Sequence, residues 1–143
     1  MGRRVVITGL GALTPIGEDV PSFWQNLKEG NSGAAQITKF DTEKFKAKFA
    51  CELKNYDPSK FFDRKEVRKY DLFSQYALVS VDEAVKDASI NFEEIDKRRA
   101  GVIWGSGNGG IQTFQDQMME FCSGDGTPRF TPYFIPRILV DIA

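Results

Sequence analysis

Apolar and small residues fall at positions 73, 76, 77, 80, 81, 84, 85 and 88, the three-and-four spacing of one helix face kept over several turns. This is the strongest periodic signal in the chain and predicts a long helix. Upstream, Asp63 followed three residues later by Glu66 has the form of a capping box at the head of that helix. Asp57-Pro58 opens a short helical turn before it. Nearer the start, Asp19 is placed to cap a helix with Pro21 in its first turn. Val20, Phe23, Trp24 and Leu27 would share one face, and Gly30 would stop it. A further helix carries Ile111, Phe114, Met118 and Cys122 on one side and breaks at Ser123-Gly-Asp-Gly-Thr-Pro128.

Between these helices the pattern changes period. Residues 3–8, Arg-Arg-Val-Val-Ile-Thr, read as a strand buried on both faces, and Ala100-Gly-Val-Ile-Trp104 reads as a second. Residues 46–53 set Lys46, Lys48 and Ala50 against Ala47, Phe49, Cys51 and Leu53, the alternation of a strand with one wet face. Strands alternating with helices predict an α/β architecture. At the end, Pro136 is placed to start a helix whose apolar face is Ile138, Leu139 and Ile142, but the sequence stops at Ala143 without a cap or polar tail. The expectation is a truncated chain. No repeat, linker or low-complexity segment divides it.

Composition narrows the chemistry. The 143 residues carry 19 Lys and Arg against 20 Asp and Glu, a net of −1, with 41% apolar residues. That suits one globular domain burying roughly two thirds of its unfolded surface, and it argues against nucleic-acid binding. No apolar run reaches a membrane span and the start has no cleavage-like pattern, so a cytoplasmic protein is expected. There is no histidine, which excludes a histidine triad, a Cys–His pair and a His-ligated metal within the chain. Cys51 and Cys122 are too far apart for a CxxC motif and are expected to be buried free thiols.

Two glycine loops and one charge cluster remain. Gly9-Leu10-Gly11 follows a predicted strand, yet Thr14 stands where a dinucleotide fingerprint needs its third glycine, and Pro15 follows. Neither loop holds a phosphate lysine, so structural turns are the default. Gly105-Ser-Gly-Asn-Gly-Gly110 lies at the carboxyl end of a predicted strand, where α/β proteins build ligand sites. Tight packing and a substrate wall explain it equally. Arg64, Lys65, Arg68 and Lys69 project within about 140° of helical arc. With Lys60, and against Asp63 and Glu66, they give residues 60–69 a net of +3. Taken alone this is a solvated helix face; the alternative is a dock for an acidic partner.

Together these segments resemble the amino-terminal portion of the 3-oxoacyl-(acyl-carrier-protein) synthases, the elongating condensing enzymes of type II fatty-acid synthesis. The matching text is Arg4-Val-Val-Ile-Thr-Gly-Leu-Gly-Ala-Leu-Thr-Pro-Ile-Gly17, Phe40-Asp41, Lys48-Phe49-Ala50, Arg64-Lys-Glu-Val-Arg-Lys-Tyr-Asp71, Gly105 to Gly110, and Thr131-Pro-Tyr-Phe-Ile-Pro136. The resemblance implies part of the first half of a thiolase-like fold, layered αβαβα and paired as a homodimer. It implies an acyltransferase in which a cysteine thiolate takes the acyl group and two histidines assist decarboxylation and condensation, without a cofactor.

None of those catalytic positions lies in this sequence, and neither Cys51 nor Cys122 sits in a matching motif, so an isolated chain is expected to be inactive. What the resemblance carries over is contact with substrate and partner. Gly107 and Asn108 match the loop bordering the acyl pocket, with Asn108 a polar departure from the usual aliphatic residue. Phe134 matches a residue that reaches the neighbouring protomer's pocket. Lys65, Arg68 and Lys69 match the docking surface for acyl carrier protein, and Arg129 is a lesser candidate for it. The alternative is a non-catalytic carrier-binding or subunit-partner module.

Overall fold

The computed structural model describes residues 2–140. They form two compact units. One holds the chain up to Asp57 together with Val79–Ile90, the other Pro58–Leu78 together with the chain from Asn91 onward.

In the first unit, helix α1 (Val20–Lys28) starts where its cap dictates. The Asp19 carboxylate accepts from the Ser22 amide at 2.7 Å, the Asp19 amide faces the Ser22 hydroxyl, and Pro21 occupies the first turn. Gly30, at φ +73°, ends it. Strands β1 (Ala34–Gln36) and β2 (Phe49–Cys51) pair antiparallel, with Ala35 opposite Ala50, and are the one sheet among the described residues. In the second unit, a 3₁₀ turn at Pro58–Lys60 precedes helix α2 (Arg64–Lys69), whose Asp63/Glu66 capping box is fully formed. Helix α3 (Leu72–Asp87) follows, giving its first half to this unit and its second half to the other. Helices α4 (Ile111–Ser123) and α5 (Phe134–Ile138) complete it.

Several expectations need correction. Residues 3–8 and 100–104 are in no strand, and their apolar side chains face solvent: Val5 is 90% exposed, Ile7 83% and Ile103 fully. A β-branched run is only a strand when a neighbour completes its ladder, and among the described residues neither segment has one. The strand predicted over 46–53 shrinks to three residues with its phase inverted, Phe49 and Cys51 outward and Ala50 half-buried. Its partner β1, Ala-Ala-Gln, carries no strand signal of its own. The capping box does not open one long helix, because Tyr70 leaves helical geometry (φ −95°, ψ 136°) and separates α2 from α3.

The last helix begins at Phe134, two residues before the proline proposed to start it, and Ile142 lies outside the described residues. Both cysteines are exposed rather than buried. Helix α4 turns Thr113 inward while Ile111 and Phe114 stay exposed. The buried apolar core among the described residues is Ala77 and Val79, both on α3, far short of the core expected from chain length.

Candidate functional site

The first glycine loop is already occupied. A Cβ at Gly9 would stand 2.2 Å from the Ala84 carbonyl oxygen, and one at Gly11 would stand 1.9 Å from that of Ser80. The alternate amides, of Leu10 and Ala12, donate to Asp87 at 2.9 Å and Glu83 at 2.8 Å. These glycines let an extended segment lie against α3, which takes the space and the donors that a pyrophosphate would need. Thr14 and Gly17 then exchange two backbone hydrogen bonds across Pro15 and Ile16, and the helix starts only at Val20. The structural reading of this loop holds.

The second loop is anchored at its end and open at its centre. Gly110 is buried, with space for no Cβ: one would meet the Arg137 carbonyl oxygen at 2.0 Å and the Asp71 carboxylate at 2.9 Å. One residue turn further, the Thr113 hydroxyl donates to the same Asp71 carboxylate, and Arg137 Nη2 lies 3.7 Å from it. Asp71 and Thr113 are each 8% exposed. This buried cluster ties the start of α4, the head of α3 and α5 together. By contrast Gly107 has open space around it and Asn108 is exposed. Packing and an accessible wall are both present, at different residues of one loop.

Phe134, the first residue of α5, is half-buried in a run of aromatic rings. It stacks on Phe130 at 5.1 Å and on Phe114 at 6.2 Å, and Phe130 meets Phe121 at 5.7 Å. The loop and this ladder are joined through α5, since Gly109 and Gly110 abut the backbone of residues 137 and 138. Sequence reasoning named Gly107, Asn108 and Phe134 as candidates and gave no sign of the cluster of Asp71, Thr113 and Arg137. Asp71 and Thr113 are 42 positions apart, and no local pattern announces their meeting.

The basic residues are gathered on α2. Among the described residues Arg64, Lys65 and Arg68 have no ion-pair or hydrogen-bond partner through their side chains, while Lys69 folds its ammonium over the Tyr70 ring at 4.9 Å. Arg129 differs, as its guanidinium is 3.0 Å from Asp125. Thr127 hydrogen bonds hold that Asp125 carboxyl below the usual range. Among the described residues no cluster of three metal-ligating side chains occurs, and no helix is long and apolar enough to cross a membrane.

The family described as beta-ketoacyl synthase, N-terminal domain, matches residues 2–139. A 3-oxoacyl-[acyl-carrier-protein] synthase 2 of Staphylococcus aureus is 44% identical over 99% of this chain and 34% of its own length. The chain thus spans about a third of the curated relatives it matches. Among solved structures, the ishigamide ketosynthase/chain length factor superposes with a TM-score of 0.82 at 30% identity, over 96% of this chain and 34% of that one. A type II polyketide synthase acyl-carrier protein in complex with its ketosynthase matches with a TM-score of 0.75 at 26% identity, over 97% of this chain and 37% of that one. The α/β, thiolase-like class expected from the sequence is the fold observed, in part.

Proposed function

The chain belongs to the beta-ketoacyl synthase family, and from that membership we propose that it is the amino-terminal part of a 3-oxoacyl-(acyl-carrier-protein) synthase acting in fatty-acid elongation. It supplies surfaces rather than chemistry. The whole enzyme joins an acyl group to malonyl-carrier protein, works in the cytoplasm as a homodimer, and takes its thiolate and imidazoles from residues outside this sequence. Gly107 and Asn108 border the acyl chain, and Phe134 reaches the pocket of the second protomer. Lys65, Arg68, Lys69 and Arg129 receive the acidic carrier.

The observation that carries the docking role is that, among the described residues, Arg64, Lys65 and Arg68 on α2 have no ion-pair or hydrogen-bond partner for their side chains, Lys69 being held by the Tyr70 ring and hydroxyl. A surface built only for stability would pair at least some of them with neighbouring carboxylates, as Lys86 pairs with Asp82 at 2.6 Å. Unpaired cations on one short helix steer an acidic protein and fix its orientation. Arg129 must exchange Asp125 for the carrier to take part, so its contribution is the smaller.

The experiment is direct. Incubated alone with acyl- and malonyl-carrier protein, the chain yields no 3-oxoacyl product; product formation would overturn the assignment of catalysis to residues beyond it. Immobilised acyl carrier protein binds the chain in a salt-dependent manner, and Lys65→Glu/Arg68→Glu weakens binding by about tenfold or more, some 1.4 kcal/mol. Unchanged affinity would remove the docking role. The second reading, a non-catalytic subunit partner, is favoured by the unpaired extended segments around Val5–Ile7 and Val102–Ile103, which offer backbone ladders to another chain. It requires that the chain form a stable complex with a second polypeptide.

A further inference from the structure

Two dipeptides in the chain share a chemical weakness. Asn108-Gly109 is its one Asn-Gly pair and Asp125-Gly126 its one Asp-Gly pair. The amide nitrogen of a glycine can attack the side-chain carbonyl carbon of the residue before it and close a five-membered ring, an approach that a Cβ on the second residue would obstruct. The structure treats the two pairs differently. The Asp125 carboxylate accepts from the Thr127 amide at 2.9 Å and lies 3.0 Å from the Arg129 guanidinium. The Thr127 hydrogen bonds favour its ionised form, and a carboxylate is a poor electrophile with no group ready to leave.

Asn108 has no such protection. It is exposed, and among the described residues its side chain makes no hydrogen bond. The side chains of Asn26 and Asn91, by contrast, are each tied by two. The following glycine is fixed by the fold: Gly109 has φ +59°, and a Cβ there would stand 2.5 Å from the Ile138 carbonyl oxygen. No bulkier residue can take its place to slow the attack. One contact does restrain the pair, since the Gly109 amide donates to the Ser106 hydroxyl at 3.2 Å. A hydrogen-bonded amide gives up its proton only when that bond opens.

We propose that Asn108 is a self-modification site, at which the Gly109 nitrogen closes a succinimide on the Asn108 side chain and the Ser106 hydrogen bond acts as the brake. The Gly109 nitrogen loses its proton to hydroxide and bonds to Asn108 Cγ. The bond from Cγ to the side-chain nitrogen breaks, and that nitrogen leaves as ammonia, taking a proton from water. Water then opens the ring. Cleavage at Cγ leaves an aspartate; cleavage at the main-chain carbonyl leaves an isoaspartate, in which the chain runs through the side-chain carbon. Water is consumed, ammonia is released and nothing is oxidised. Either product adds a negative charge to the loop, and the second also lengthens its backbone by a methylene. On the acyl-border role proposed above, that puts a carboxylate beside an alkyl chain, which is unfavourable. The modification itself does not depend on that role.

The test needs neither carrier protein nor acyl substrate. The purified 143-residue chain is held at mildly alkaline pH and followed by intact mass, peptide mapping and an isoaspartyl methyltransferase assay. A gain of about 1 Da is expected at position 108, with isoaspartate there and none at Asp125. Asn108→Gln should abolish the gain, because the longer side chain would have to close a six-membered ring. That substitution alters an exposed side chain without partners, so the fold is kept. Ser106→Ala should speed conversion of the folded chain about threefold while leaving the rate in concentrated urea unchanged. No gain at position 108, or a gain that persists in Asn108→Gln, would overturn the site. Isoaspartate forming at Asp125 as fast as at position 108 would overturn the contrast on which it rests. Equal rates for folded Ser106→Ala and the parent would remove the brake.

Discussion

Asp71 accepts a hydrogen bond from Thr113 and stands 3.7 Å from Arg137, with its side chain 11% exposed and that of Arg137 29% exposed. Removing one member of such a cluster leaves the other charge partly desolvated, which costs more than the contact itself contributes. Asp71→Ala is expected to lower stability by about 2–4 kcal/mol, less than a fully buried pair because Arg137 keeps some water. Thermal melts followed by circular dichroism measure it, and a loss below about 0.5 kcal/mol would show that the cluster is incidental. Arg137→Met should cost less, since its aliphatic stem still packs and Asp71 keeps the Thr113 hydroxyl. None of this was legible in the sequence. A lone Asp, Thr and Arg in three different segments carry no periodic or spacing signal, and only the fold brings them together.

At the scale of elements, what the sequence announced was local. Helix α1 begins at its cap and α3 forms where the three-and-four repeat runs, because hydrogen bonds from residue to nearby residue decide both, but Ser74, Gln75 and Val79 are buried off the expected face and Val81 on it is exposed. The Asp19 carboxyl is held below its ordinary value, first by the hydrogen bond from the Ser22 side chain and then by the Ser22 amide. A depressed folded-state value means that the cap stabilises fully above the unfolded value near about pH 3.9 and loses its effect as pH falls through the lower folded one. Asp19→Asn keeps the cap without the charge, so its stability should be flatter than that of the parent between about pH 5 and pH 2. Equal acid sensitivity of the two proteins would argue against the cap's titration.

Strands were the less legible elements, because a ladder needs a partner that a local pattern cannot name. Residues 3–8 have β-branched composition without pairing, while β1 pairs through Ala-Ala-Gln with none. Helix α2 occupies an intermediate place. Its charge spacing was visible from 64 to 69, but the break at Tyr70 that ends it carries no local signal.

Across the whole molecule, apolar surface is left uncovered. Val5, Ile7, Val102 and Ile103 are each more than 80% exposed, and the buried apolar core among the described residues is two side chains of one helix. Soluble monomers rarely tolerate extended apolar segments with unpaired backbone groups. The chain by itself should bind a hydrophobic dye strongly and associate with rising concentration, and Val5→Thr/Ile103→Thr should reduce both. Dye binding no greater than that of a compact globular control would show that these segments are covered in solution.

The segment that lies along α3 has a metric consequence. Two residues of extended chain advance about 6.6 Å and four residues of helix about 6.0 Å. Gly9 against Ala84 and Gly11 against Ser80 are therefore marks on two nearly commensurate rulers, as are the amides of Leu10 and Ala12 against Asp87 and Glu83. Inserting or deleting one residue there would shift every mark at once, presenting a side chain where only a hydrogen fits and withdrawing the amides of Leu10 and Ala12 from Asp87 and Glu83, of which Glu83 keeps the Val20 amide at 2.8 Å. Length variation in this unit is thereby directed away from residues 9–12, toward the irregular stretch between β1 and β2 where no such scale is kept.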